Sequence, residues 1–472
     1  MGIAMSVVMS RRPLIIVYFL VVYLPLEEFL LKWWPLSDIA FLMLRQLPDA
    51  LVVALLMWTW GCSVLLGRRV PCIGGLADIA LLSFFTAAIL SALINHANPG
   101  SVAVNIKALL RYIALVYSLV ALRPAPGELR FLFRLLMFGV GLQVVVGIVQ
   151  LLGGIDVRNF LAGRNTVESL LGFQTRFTGT RYPGVNDLMG TMGNTINFAM
   201  FLLVGLVVWI VQYRTRPIGY WFGVAILLWL MLLTGSRSVF LVAGLVVLVH
   251  QLKHYPRPTL LLVLVGPALL LIFSDGSVPQ AQTPLNNFNF AFMFTSDYIE
   301  MAKHQRLGVV LYVLPMWLYG PHFMLGYSAD KAVFIQAFLD SRYHAMAPGS
   351  FAGSLSGVIE DVYWGALLVY YGLLGVVLFL TFYFGVARRV FRFARRADQP
   401  LLRQLGEVSG LLILASLPLN MLNQAFEIRQ FSFYLWLFVG FSVTCYQRQL
   451  RFGSGLSRIA QPQVATLPGS KP

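Results

Sequence analysis

Long apolar runs separated by short polar connections set the rhythm of this chain. Twelve of them read as membrane spans, near 13–26, 48–66, 76–95, 104–122, 131–152, 187–212, 218–234, 238–252, 258–274, 361–386, 406–425 and 430–447. A run of about 20 apolar residues forms a helix that crosses the hydrocarbon layer. Three outward connections are long. Residues 27–47 are amphipathic and carry Trp33 and Trp34, which predicts a helix lying in the interface. The other two are the loops 153–186 and 275–360. Inside the longer loop, "RLGVVLYVLPMWLYGPHFMLGYS" is apolar enough to suggest a further crossing. A crossing there would turn the arginine-rich 388–403 segment outward, so this run is expected to pack as helices on the outer surface. The tail 449–472 contains Gly, Ser and Pro and is expected to be disordered. Residues 1–448 thus read as one transmembrane domain.

Composition agrees with that pattern. Hydrophobic residues make up 58% of the 472 positions and charged residues 11%, which excludes an ordinary soluble globule. No small-residue cleavage site follows the first apolar run, so it reads as a retained anchor. The net charge of +16 would suggest nucleic acid in a soluble protein, but its distribution says otherwise. With the N-terminus inside, the inner segments hold 21 Lys and Arg against four acids, Asp78, Glu128, Asp398 and Glu407. The outer segments and span ends hold 14 against 15. This is the positive-inside distribution, so the basic balance orients the chain and contacts lipid headgroups. Both termini are expected in the cytoplasm of a bacterial inner-membrane protein. Cys62, Cys72 and Cys445 fall in spans or on the inner side, which leaves no cysteine for a disulfide in an outward loop.

Chemistry is expected on the outer side. No GxxxxGK[ST] loop and no CxxC or HExxH pattern occurs, so neither nucleotide, cofactor nor metal is expected. Arg176 and Arg181 stand five apart in "QTRFTGTRYPGVNDLMG"; Arg237 lies in the "LLTGSRSVFLVAGL" hairpin; Arg306 opens the long apolar run. Arginines around a shared cavity form planar, always-charged forks for phosphate oxygens, and neighbouring Gly and Ser residues let backbone N–H groups approach the same anion. A lipid-linked diphosphate carries its charge at that depth. A single interfacial arginine commonly just snorkels to headgroups. Four on one face are better explained by an anion site.

The succession "RFTGTRYPGVNDLMG", "LLTGSRSVFLVAGL", "RLGVVLYVLPMWLYGPHFMLGYS" and "DVYWGALLVYYGLLGVVLFL" resembles the O-antigen polymerase and O-antigen ligase superfamily of membrane glycosyltransferases. The likeness covers roughly residues 130–390 and rests on the order of weak motifs. It implies an all-α GT-C-like architecture and an undecaprenyl-diphosphate-linked glycan donor, with Arg176 or Arg181, Arg237 and Arg306 on the diphosphate. One departure is informative. Ligases carry a His eleven residues before the first glycine of the last motif; here that glycine is Gly372 and the position holds Asp361, preceded by Glu360. The absent His favours a polymerase. Glu360 or Asp361 would then orient or deprotonate the acceptor, although adjacent acids at a helix start are often caps. His304 is a weaker base candidate, and Tyr327 and Asp330 are candidate glycan contacts.

Diphosphate is a good leaving group, so an acceptor hydroxyl could displace it with inversion and without nucleotide or obligatory metal. The resemblance further implies a chain-length regulator and a flippase as partners. Two rival readings stand beside it. A ligase, or a protein O-oligosaccharyltransferase, would transfer the finished glycan. A lipid-linked oligosaccharide flippase would move it across the bilayer, but no internal repeat or mid-span charge path favours that.

Overall fold

The computed structural model describes residues 12–33, 38–67, 72–162, 169–170, 173–174, 188–255, 303–304 and 306–451. It is helical throughout, apart from a two-residue antiparallel ladder pairing Ser169–Leu170 with Phe173–Gln174. The helices are α1 Leu14–Trp33, α2 Asp38–Arg45, α3 Leu47–Leu65, α4 Leu76–Ile94, α5 Pro99–Leu110, α6 Ile113–Leu122 and α7 Pro126–Ala162. They continue with α8 Thr195–Gln212, α9 Pro217–Leu233, α10 Arg237–His254, α11 Arg306–Leu318, α12 Lys331–Leu339 and α13 Arg342–Met346. The last four are α14 Gly349–Asp361, α15 Tyr363–Arg396, α16 Pro400–Leu422 and α17 Arg429–Arg451.

Among the described residues seven helices are long and apolar enough to cross a membrane: α1, α3, α4, α7, α8, α15 and α16. The pair α5–α6 makes an eighth if counted as one span bent by 54°. The molecule is therefore a polytopic membrane protein. Of the twelve expected spans, 258–274 lies outside the described residues, 218–234 is the shorter apolar helix α9, and 238–252 and 430–447 are helices α10 and α17, which are not among the seven. The run opening at Arg306, not expected to cross, is the shorter apolar helix α11. The expected interfacial helix over 27–47 is divided instead: residues 27–33 prolong α1 past Pro25, and α2 is a separate short helix.

Helices α8, α16 and α17 form the centre. Almost every side chain of α8 from Phe198 to Val211 is buried, so its apolar residues face other helices on all sides. Helix α15 packs on α4 and α16, α17 on α6, and α1 on α7. Hydrogen bonds at the helix ends define two faces of the bundle. The upper end gathers the C-terminus of α1 and the starts of α3, α10 and α17: Arg429 donates to Glu27 and to the Arg45 carbonyl, and Asn423 donates to Ser238. The lower end gathers the opposite termini: Arg448 donates to the Arg123 and Pro124 carbonyls, and Arg389 to Gly74.

Two stretches of irregular backbone lie inside the bundle, where each peptide group needs a protein partner because lipid offers none. Before α8, residues 188–194 form a buried turn. Gln150 of α7 accepts from the Met189 and Gly190 amides, and Gln143 bonds both the amide and the hydroxyl of Thr191. The second stretch interrupts α15 at Gly372 (φ 66°), and the loop 321–330 occupies the break. Leu373 and Leu374 donate to the Phe323 and Met324 carbonyls, while the Tyr327 amide donates to Val369. Side chains from α4 and α5 seal the other edge: Asn95 donates to the Gly326 carbonyl (3.1 Å) and Asn105 to Ala329. A Cβ at Gly372 would overlap the Met324 carbonyl oxygen, and one at Gly326 (φ 72°) would lie 2.5 Å from the Gly372 amide nitrogen. The two glycines allow the backbones to touch.

Candidate functional site

Charged side chains at the upper end form a continuous web. Arg429, at the start of α17, reaches Glu27 of α1 at 2.5 Å and Asp49 of α3 at 3.6 Å. Arg111, in the elbow between α5 and α6, lies 3.5 Å from the same Asp49 and donates to the Glu427 carbonyl at 2.9 Å. Lys107 pairs with Asp49 at 3.1 Å. Glu27 and Asp49 are 1% and 4% exposed, so each carboxylate is held by guanidinium groups rather than water. Glu427, between α16 and α17, is half-buried. Desolvation pushes its carboxyl above the ordinary range, and the charges of Arg111 and Lys331 oppose that rise. Lys331 pairs with Glu360, and burial pulls its ammonium below its usual value.

Against this web the sequence-predicted residues separate clearly. Arg237 is the first residue of α10 and follows Gly235 (φ 70°), in a turn where Thr234 Oγ1 accepts from the Ser236 amide. The positive-φ glycine turns the chain so tightly that Arg237 is set at the helix N-terminus, half-buried, next to Ser238, which accepts from Asn423 at the end of α16. Its guanidinium makes no hydrogen bond or ion pair with any described residue. Arg306 is half-exposed and pairs with Asp361 at 3.6 Å. Asp361 and Glu360 do not start a helix as expected. They end α14, where the helix dipole disfavours acids, and Arg306 and Lys331 compensate. Arg176 and Arg181 lie outside the described residues. His304 is exposed. Asp330 caps α12 through the Ala332 amide and accepts from the Asn98 amide with its other oxygen, so both oxygens hold the inserted loop in place.

Tyr327 lines a pocket of about 370 Å³ with Tyr319, His322, Ser341, Arg342 and Tyr343. Its ring lies 4.4 Å from that of His322. Burial holds the His322 imidazole below its ordinary range and raises the Tyr327 phenol. Aromatic faces joined to a guanidinium suit a polyhydroxylated ligand, giving apolar contact to C–H faces and donors to hydroxyls. A larger groove of about 590 Å³ runs between α3, α4 and the α5–α6 elbow. Apolar side chains such as Val53, Phe85, Ile89, Leu93 and Ile106 line it, with Lys107 and Arg111 in the same wall.

Several of these groups are invisible to motif reading. Lys32 is one: its ammonium is buried beside Gly193, and among the described residues it makes no hydrogen bond and has only Glu28 at 3.8 Å. Arg111 is another. A lone arginine within an apolar run carries no local signal except its cost in lipid, and that cost could have marked the elbow. No protein-family model matches this chain, and no curated protein matches it.

Proposed function

We propose that this protein is a polysaccharide polymerase of the membrane glycosyltransferase type. It joins lipid-diphosphate-linked repeat units at the face carrying Arg237, with the diphosphate as leaving group. The contrast among cations carries this reading. Arg111, Arg306, Lys331 and Arg429 each face a carboxylate, whereas half-buried Arg237 faces none among the described residues. A guanidinium held at a helix start, with no described residue taking up its hydrogen bonds, is suited to an incoming anion.

The groove beside Lys107 and Arg111 supports the same reading, since a prenyl chain needs an apolar channel that ends near positive charge. In the reaction, an acceptor hydroxyl attacks the anomeric carbon opposite the diphosphate and inverts its configuration. Arg237 stabilises the charge that grows on the departing oxygens. Asp361, oriented by Arg306, accepts the hydroxyl proton late in the step. The pocket around Tyr327 and His322 holds a glycan chain in line. Undecaprenyl diphosphate is the carrier suggested by the sequence resemblance.

The test uses purified protein in detergent with lipid-linked repeat units. The wild type lengthens the glycan; Arg237→Ala lowers the rate by about 10²–10³ while the protein remains folded in the membrane. Transfer of a whole glycan to a lipid or protein acceptor without lengthening would instead mark a ligase. Movement across vesicles without new bonds would mark a flippase, and polymer of normal yield from Arg237→Ala would remove the diphosphate assignment.

A further inference from the structure

We propose that His250, His254 and Glu407 form a binding site for a divalent transition-metal ion at the lower end of the bundle. The two histidines stand four apart in "HQLKH" on the last turns of α10, so their imidazoles leave the same helix face. Glu407 comes from α16, which packs alongside. Its Oε1 lies 2.7 Å from His254 Nε2 and 3.9 Å from His250 Nε2, and the three donor atoms lie within 4.8 Å of one another. A tetrahedral ion with bonds of about 2.0–2.1 Å places its ligands roughly 3.4 Å apart, within short side-chain adjustments of these separations.

The decisive atom is His250 Nε2. The side chain is fully buried, yet this nitrogen makes no hydrogen bond to any described residue, while Nδ1 shares a hydrogen with the Tyr220 hydroxyl at 3.4 Å. Either tautomer leaves a problem. A proton on Nε2 points at an oxygen too distant to bond. A lone pair on Nε2 faces a carboxylate. A cation between Nε2 and Oε1 resolves both, with Tyr220 fixing the outer nitrogen as partners of metal-bound histidines usually do. Two imidazoles and one carboxylate suit Zn²⁺ and its transition-metal neighbours rather than Mg²⁺ or Ca²⁺.

Two cations share the carboxylate. Arg214 reaches Oε2 at 3.5 Å and leaves the metal-facing oxygen open. Lys253 touches Oε1 at 2.8 Å, but its side chain is 59% exposed and can swing into solvent. Lys253 is thus the metal's competitor. Along α10 the two histidines lie about 20 and 26 Å from Arg237, at 1.5 Å per residue, so the ion staples α10 to α16 and takes no part in chemistry at the upper end. This assignment does not rest on the proposed function.

The full chain, purified in detergent with any affinity tag removed and dialysed against chelator, is titrated with Co²⁺. Visible absorption and the metal content after desalting are both read. One Co²⁺ per chain is expected, displaced by Zn²⁺, and Tyr220→Phe should weaken binding by about 10- to 100-fold. His254→Gln and Glu407→Gln should abolish it, and Lys253→Met should tighten it several-fold. Absence of Co²⁺ from the wild type overturns the site, as does unchanged affinity in His254→Gln. Should the buried variants fail to fold, the surface variant decides: affinity unchanged or weaker in Lys253→Met is equally fatal.

Discussion

The two ends of the bundle use the same residue types for different purposes. At the lower end, arginines close helix ends and turns: Arg389 donates to the Gly74 carbonyl at 2.6 Å, and Arg448 to the Arg123 and Pro124 carbonyls. Each of these contacts joins distant segments but ends on a neutral backbone carbonyl, and Arg214, 3.5 Å from buried Glu407, is the exception at this end. At the upper end, arginines reach across helices to buried carboxylates, and Arg237 meets none among the described residues. The difference is one of dielectric. A charge buried among helices must find a counter-charge, so the upper web constrains its members strongly.

Arg429→Met should show the largest effect. It strands Glu27 in a buried setting and leaves Asp49 with Arg111 and Lys107, which costs about 3–5 kcal/mol. The thermal midpoint in detergent should fall sharply, and Glu27→Gln in the same chain should restore part of it. If the double variant is no more stable than the single one, the web is not held by charge pairing. Next comes Arg237→Ala, with a loss of about 2.7–4 kcal/mol in transition-state stabilisation and little change in the midpoint. Equal falls in stability for Arg237→Ala and Arg429→Met would erase the distinction between a ready cation and a structural one.

Gly372→Ala should cost about 1–3 kcal/mol from its positive φ, with the overlap at Met324 added. Hydrogen exchange should reveal loop 321–330 released from α15; unchanged protection there would contradict the insertion. A smaller, pH-dependent effect is expected at His322, which faces Tyr327, Tyr319, Tyr343 and Arg342 in its pocket. Its folded form resists protonation, so the released loop takes up the proton more readily. The loop's stability is then complete above the ordinary histidine value of about 6.5 and declines as pH falls below it. Exchange rates over 321–330 should rise on acidification in the wild type and lose that dependence in His322→Gln. Smallest of all, Arg389→Ala at the lower end should cost about 1 kcal/mol and leave glycan transfer unchanged.

Much of the architecture was legible in the chain because hydropathy is a local property. Runs such as 48–66, 76–95 and 406–425 correspond closely to α3, α4 and α16. The "TGSRS" turn was readable too: Gly235 supplies the conformation and Arg237 the charge. The glycine of "YYGLLG" was visible as a motif, but not as a break that accepts a loop, because its meaning depends on backbone about 50 residues earlier. The HQLKH pair carries no local signal, because neither histidine means anything until Glu407, 153 residues from His254, is placed beside them.

The sequence by itself determined that the chain lives in a membrane, which runs become helices, and which segments carry the positive charge. Those properties follow from side-chain transfer energies and dihedral preferences, which each short stretch holds independently. Only the tertiary structure decided which charges meet. Arg429 and Glu27 are 402 residues apart, and burial turns their encounter from a negligible surface attraction into a condition for folding. The same assembly, by supplying a carboxylate to every neighbouring cation named here except Arg237, turned one arginine of a short hairpin into the residue on which the proposed chemistry depends.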